Sequence, residues 1–248
     1  MCGLIPAVLA STWLVGCDAF RSPDARVELA QEHFAKGEYG PAVTQLKQAL
    51  LRDPAHARAR LELGRVSLWL GDYESAAMEL ARALSAGAAA AEVVPLQLEV
   101  LLAQGKLDEA AANLARTDVL PTVRRLVFEA RLAGTRGEFA QAKEKLRLAL
   151  QEAPDDYEAI VESARVAAAD GDLEPALAVP DKLVGQPDEV IARGLMLRGA
   201  ALMSRGDFAG ARSALGDALE KGKLMRVSEQ LGAAVMLTDV NLALNDIA

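Results

Sequence analysis

Two histidines, two cysteines and a few adjacent carboxylates are the residues in this 248-residue chain whose types could do chemistry. A zinc or hydrolytic centre needs such groups gathered at ligand spacing, for example two His four apart on one helix face. His33 and His56 have no ligating partner at helical spacing and read as partly exposed polar residues. The sequence contains no GxSxG elbow, no HExxH pair, no phosphate loop and no dinucleotide fingerprint. The pairs Asp108-Glu109 and Asp155-Asp156 fall where helices are expected to begin. Carboxylates there complement the positive end of the helix dipole, so they do not read as an acid/base pair. The expectation is a protein that is not an enzyme, with no metal, no cofactor and no small-molecule substrate.

One thiol does have a chemical context. Residues 1–16 carry no charged side chain, and the apolar stretch 4–15 has the length of a signal-peptide core. It is too short to span a bilayer, which takes about 20 apolar residues. It ends in Leu14, Val15 and Gly16 followed by Cys17, the pattern of a bacterial lipobox. Small residues there let a signal peptidase close on the backbone, and the Cys17 thiol accepts the lipid. Charged residues begin immediately afterwards with Asp18, Arg21, Asp24 and Arg26. No Lys or Arg precedes the apolar core, a departure from the usual leader. Cys2 lies in the removable segment, so an acylated Cys17 leaves no thiol for disulfides, zinc or nucleophilic catalysis. Residues 17–22 then form the lipidated Cys and a short tether. Two or more acyl chains hold a protein stably on a membrane. The expected location is the bacterial cell envelope, facing the periplasm, with Asp18 slightly favouring the inner membrane.

The elements that position any site follow from composition and repetition. The chain has 49 Ala and 38 Leu but only 4% aromatics. Ala and Leu are strong helix formers and weak strand formers, so the composition argues against an all-β or disordered chain. Net charge is −8, which argues against a general nucleic-acid binder. A Gly, any residue, then Tyr, Phe or Leu, with Ala three positions on, recurs at Gly37, Gly71, Gly105, Gly137, Gly171 and Gly206. The intervals are 34, 34, 32, 34 and 35 residues. Seven residues before the Gly stands a small residue, Ala30, Gly64, Ala130, Ala164 or Gly199, with Leu98 as the exception in the third copy. Small residues let two helices approach closely, and a Gly ends the first of them. Pro41 and Pro175 fall at the start of the second helix, where proline is tolerated.

This pattern resembles the tetratricopeptide repeat (TPR). The resemblance implies an all-α, right-handed α-solenoid of antiparallel helix pairs. Six copies cover 23–225, as 23–56, 57–90, 91–122, 123–156, 157–191 and 192–225. In the fifth copy Pro180 is expected to shorten or kink the second helix. Residues 226–248 read as the first helix of an incomplete seventh copy, with Asn245-Asp246-Ile247 at the next turn. Solenoid ends normally carry a polar cap, so the chain reads as the N-terminal part of a longer array.

The same resemblance places the first helix of each copy on a concave groove. It assigns to that groove Arg58, Arg65, Arg124, Arg131 and Arg165, with Phe34 and Trp69 deeper along the face. Arginine forks suit carboxylates of a protein or peptide ligand. The alternative is that these arginines pair with Glu92, Glu99 and Glu158 of neighbouring copies. The Lys and Asn of a chaperone-type carboxylate clamp are missing. The overall layout of lipobox, short tether and Ala/Leu-rich array resembles the TPR lipoproteins of PEP-CTERM/exosortase systems, which accompany exopolysaccharide and protein-sorting genes. That resemblance implies a membrane-tethered scaffold for protein–protein interaction. Two other readings stay open: a pilus or outer-membrane assembly lipoprotein, and the recruiting arm of an enzyme whose catalytic domain lies beyond residue 248.

Overall fold

The computed structural model describes residues 21–247. Leu14, Val15, Gly16 and Cys17, and with them the expected signal peptide and lipidation site, lie outside the described residues. Among the described residues there are thirteen α-helices, one 3₁₀ turn and no strand. They are α1 (Pro23–Ala35), α2 (Tyr39–Arg52), α3 (Ala57–Leu70), α4 (Tyr73–Ser85), α5 (Ala90–Ala103), α6 (Leu107–Arg116) and α7 (Thr122–Thr135). There follow α8 (Phe139–Glu152), α9 (Tyr157–Ala169), α10 (Glu174–Lys182), α11 (Asp188–Ser204), α12 (Phe208–Lys221), the 3₁₀ turn Gly222–Leu224 and α13 (Val227–Ile247). Consecutive helices pack as six hairpins, and α13 packs on α12 as an unpaired seventh first helix. The fold is the expected all-α solenoid.

The hinges explain the period. All six repeat glycines are left-handed, with φ between 70° and 93°. At Gly71 the turn is closed by Gly71 N–H to the Leu68 carbonyl and Asp72 N–H to the Ser67 carbonyl, at 3.1 and 2.9 Å. The other five hinges make the same two-bond pattern, which satisfies carbonyls that a helix end otherwise leaves free. Tyr39, Tyr73, Leu107, Phe139 and Phe208 then start the second helix directly after the hinge. Asp72 and Asp207 cap those helices through their carboxylates. His56 finds a use that its isolation in sequence did not suggest. Its Nδ1 accepts the Ala59 N–H at 3.2 Å and caps α3, while Nε2 meets Asp24 Oδ1 at 3.1 Å.

Close packing sits at the small positions. A Cβ added to Gly64 would lie 2.8 Å from Leu80 Cγ, and one added to Gly199 would lie 2.6 Å from Leu215 Cγ. In the third copy Leu98 fills this place and is buried. It joins Ala110 and Leu114 of α6 in one apolar cluster, and α6 is only ten residues long. Pro180 lies inside α10, which ends two residues later after nine residues. The proline removes a backbone donor and crowds the preceding turn.

The expected borders at 90/91 and 122/123 fall one residue inside α5 and α7, and two boundaries move further. The expected border at 191/192 falls inside α11, because α10 already ends at Lys182 and Pro187 opens α11 at Asp188. The turn expected at 245–247 does not form: α13 runs on through Asn245 to Ile247. Asn245 replaces the hinge Gly there, and nothing releases the backbone from the helix.

The array also curls back on itself. The last turn and α13 reach α3, so repeats more than 100 residues apart in sequence touch across the inner face.

Candidate partner-binding groove

The inner face is built from first helices alone. Residues from α3, α5, α7, α9, α11 and α13, together with Arg226, surround one cavity of about 640 Å³. The period of the array delivers this. Each first helix repeats the orientation of the last, so equivalent positions face a common axis. Leu96, Val161, Met196 and Leu197 make an apolar floor. Over it lies a charged lattice of five arginines and four glutamates: Arg124, Arg131, Arg165, Arg193 and Arg226 with Glu99, Glu158, Glu162 and Glu229.

The lattice is a chain of shared carboxylates. Glu99 accepts from Arg131 Nη1 at 2.8 Å and from Arg226 Nη2 at 3.0 Å. Arg131 also meets Glu162 at 3.5 Å, and Glu162 is held by Arg165 one helical turn on. Arg124 pairs with Glu158 of the next copy. Arg193 donates to Glu229 at 3.0 Å. Arg124 and Arg131 also lie over the face of the buried Phe128 ring, at 5.3 and 5.6 Å. Glu99 and Glu162 are buried, which makes their pairing costly to break. Burial pushes the Glu99 carboxyl up, but the Arg131 and Arg226 guanidiniums outweigh it and hold the group down at about 2. Burial works against the Arg131 charge, and Glu99 and Glu162 reverse this and raise it. For Arg124 burial wins, and its guanidinium is lowered.

The arginines expected in the groove divide into two sets. Arg124, Arg131, Arg165 and Trp69 line the cavity. Arg58 and Arg65 do not; they belong to a smaller cluster between α1 and α3. There Gln31 accepts from Arg58 at 2.8 Å and donates to Glu62 at 2.7 Å, and Arg65 lies 3.4 Å from Glu62. Glu99 and Glu158 are the partners the pairing alternative named, whereas Glu92 is exposed. Phe34 and Trp69 meet edge to face at 5.4 Å.

Sequence reasoning missed Arg226 and the turn before it. Trp69 Nε1 donates to the Leu224 carbonyl at 3.0 Å, and Arg226 lies 5.3 Å over the Trp69 ring. No local signal marks this contact, because it depends on the summed rotation of the intervening repeats. Among the described residues, no three His, Cys, Asp or Glu come together in a way that could hold a metal ion.

These features define an all-α solenoid of helix hairpins. Residues 27–92 match the tetratricopeptide repeat family model. No curated protein matches the chain. Among solved structures the fold is similar to PilW, a widely conserved type IV pilus biogenesis factor, with TM-score 0.57 and 20% identity over 78% of this chain and 90% of that one. PilF of Pseudomonas aeruginosa is similar at TM-score 0.53 and 24% identity, over 78% and 88% of the two chains. The Cut9–Hcn1 hetero-tetramer of the APC/C reaches TM-score 0.65 at 16% identity, covering 91% of this chain and 44% of that one. At these identities the likeness is one of fold.

Proposed function

We propose that the protein is a non-enzymatic TPR scaffold that holds a protein or peptide partner in its inner groove. The supporting observation is the convergence of six first helices on one apolar-floored cavity rimmed by arginines. Large apolar pockets with a few placed polar groups are the default binding sites of a fold. Its partner is a polypeptide rather than nucleic acid, because the rim arginines are matched by glutamates and the chain is acidic overall.

In this reading Cys17 carries the lipid that tethers the scaffold to the envelope, facing the periplasm, and 17–22 is the tether. The lipobox residues and the layout resembling PEP-CTERM/exosortase TPR lipoproteins support it, and point to work in an exopolysaccharide or protein-sorting system. A second reading, a pilus or outer-membrane assembly lipoprotein, is favoured by the fold likeness to PilW along 90% of that chain.

A photo-crosslinking residue at Met196, inside the groove, tests the binding role in cells. It should give a covalent adduct with an envelope protein, whereas the same residue at Leu148, on α8 outside the groove, should give none. Equal adducts from both positions would remove the groove from the function. The tether is tested separately by Cys17→Ser. The variant should leave the membrane fraction after a carbonate wash, and continued sedimentation would refute the lipid anchor.

A further inference from the structure

The turn between α12 and α13 is built to a fixed shape by its own end of the molecule. Met225 is fully buried and donates its N–H to the Gly222 carbonyl at 3.0 Å. Gly222 is closely enclosed there: an added Cβ would lie 2.2 Å from Met225 Cε, which would have to shift, and 3.2 Å from Ala192 Cβ. Gln230 donates to the carbonyls of Lys223 and Met225 at 3.1 and 2.9 Å, and Glu229 accepts the Arg226 N–H at 3.1 Å. Of the carbonyls from Gly222 to Arg226, only that of Leu224 is satisfied from across the groove.

What it meets there is a set of three features on α1, α3 and α5 and their hinges. The Leu224 side chain lies against Gly37, where an added Cβ would be 3.2 Å from Leu224 Cδ2. The Trp69 indole N–H reads the Leu224 carbonyl. The buried carboxylate of Glu99 receives the Arg226 guanidinium, which also stacks on the Trp69 ring. An apolar seat, a donor for a backbone carbonyl and an acid with an aromatic plate for a cation are together the parts of a peptide-recognition site.

We propose that Gly37, Trp69 and Glu99 form a recognition site for a Leu-x-Arg turn, and that residues 222–226 are its built-in ligand, latching the superhelix shut. Solenoid repeats contact only their neighbours, so the curvature of the array is a soft coordinate that one distant contact can set. The strap is tethered to its site by the protein itself, at an effective concentration on the order of millimolar. A closed latch therefore requires an intrinsic affinity of about 1 mM or tighter. A partner that presents the same chemistry, a leucine with a basic residue two positions on, displaces the strap and opens the ring. This last step rests on the groove being a partner site, while the latch itself does not.

The test uses the full chain with Trp13→Phe, which leaves Trp69 as the one tryptophan. Arg226→Ala removes the cation but leaves Glu99 paired with Arg131, so no buried acid is orphaned. The expected result is at least a twofold rise in acrylamide quenching of Trp69 and a larger radius of gyration by small-angle scattering, with helicity unchanged. Glu99→Gln should reproduce both changes. A capped Lys-Leu-Met-Arg-Val peptide should then bind the Arg226→Ala variant with a dissociation constant of about 1 mM or less, read by Trp69 emission. The same peptide with Ala for Arg should not bind. Unchanged quenching and size in both variants, or equal binding of the two peptides, would overturn the proposal. The Met196 crosslinking result is independent of these outcomes, so failure of the latch and failure of the groove are told apart.

Discussion

Replacing Glu99 with Gln tests the charged lattice most directly. In the folded protein its carboxyl is held down at about 2, against an ordinary value of 4.5. Each pKa unit corresponds to about 1.36 kcal/mol, so the ionised carboxylate contributes on the order of 3 kcal/mol at neutral pH. The sign follows from the depressed folded value. The contribution is complete above the unfolded value near 4.5 and is lost as pH falls toward 2, where the folded carboxylate takes up its proton. Glu99→Gln keeps the shape but removes the charge that Arg131 and Arg226 share. The variant should therefore be less stable than the parent by on the order of 3 kcal/mol at pH 7 and by about 1 kcal/mol at pH 3. Urea unfolding followed at Trp69, which lies on the same inner face, reads the right part of the array. A gap of equal size at both pH values would show that Glu99 acts through packing rather than charge. No gap at pH 7 would show that the cost of burying the ions cancels their attraction.

The glycines separate packing from propensity. Gly64→Ala and Gly199→Ala should each lower stability by ~1–3 kcal/mol, because the new methyl overlaps Leu80 or Leu215. Gly216→Ala, in α12 with open space around it, should raise stability by ~1 kcal/mol through helix propensity alone; thermal melts of the three variants decide this, and the reverse order would refute the close-approach reading. Tyr39→Phe removes a buried hydroxyl that lacks a hydrogen-bond partner among the described residues, so its melting midpoint should stay level or rise, by up to ~1 kcal/mol in stability. A clear loss of stability would show that this hydroxyl has a partner in solution.

Much of the fold was legible because each repeat solves the same local problem. A left-handed residue is needed where the first helix ends, and only Gly takes that conformation without strain, so Gly37 through Gly206 mark every hinge. The small residue seven positions earlier follows from the distance between paired helices, as the contacts of Gly64 and Gly199 show. Pro180 shortened α10 for a reason visible in one residue. The misplacements have local causes as well. Pro187 opens the next first helix instead of lying inside the fifth copy, and Asn245 occupies a hinge position without ending its helix.

The groove was legible in part, and the dividing line is physical. Arg124, Arg131 and Arg165 could be placed on the inner face because a fixed register within each copy puts them there. Their partners could be guessed only between adjacent copies, as with Arg124 and Glu158. Whether the first and last copies meet depends on the rotation accumulated over all the repeats between them. A small change per repeat moves the end of the array by many ångströms, and no short motif records that sum. The contact of Arg226 with Glu99 spans 127 residues, and the one from Trp69 to Leu224 spans 155. Both meet groups that local spacing had already put on the groove, Trp69 and Glu99. The residues that line the groove are thus set copy by copy, but its size and access are set by closure. Substitutions that leave the lining untouched but alter helix packing, such as Leu98→Ala in the apolar cluster between α5 and α6, act on the site through that closure.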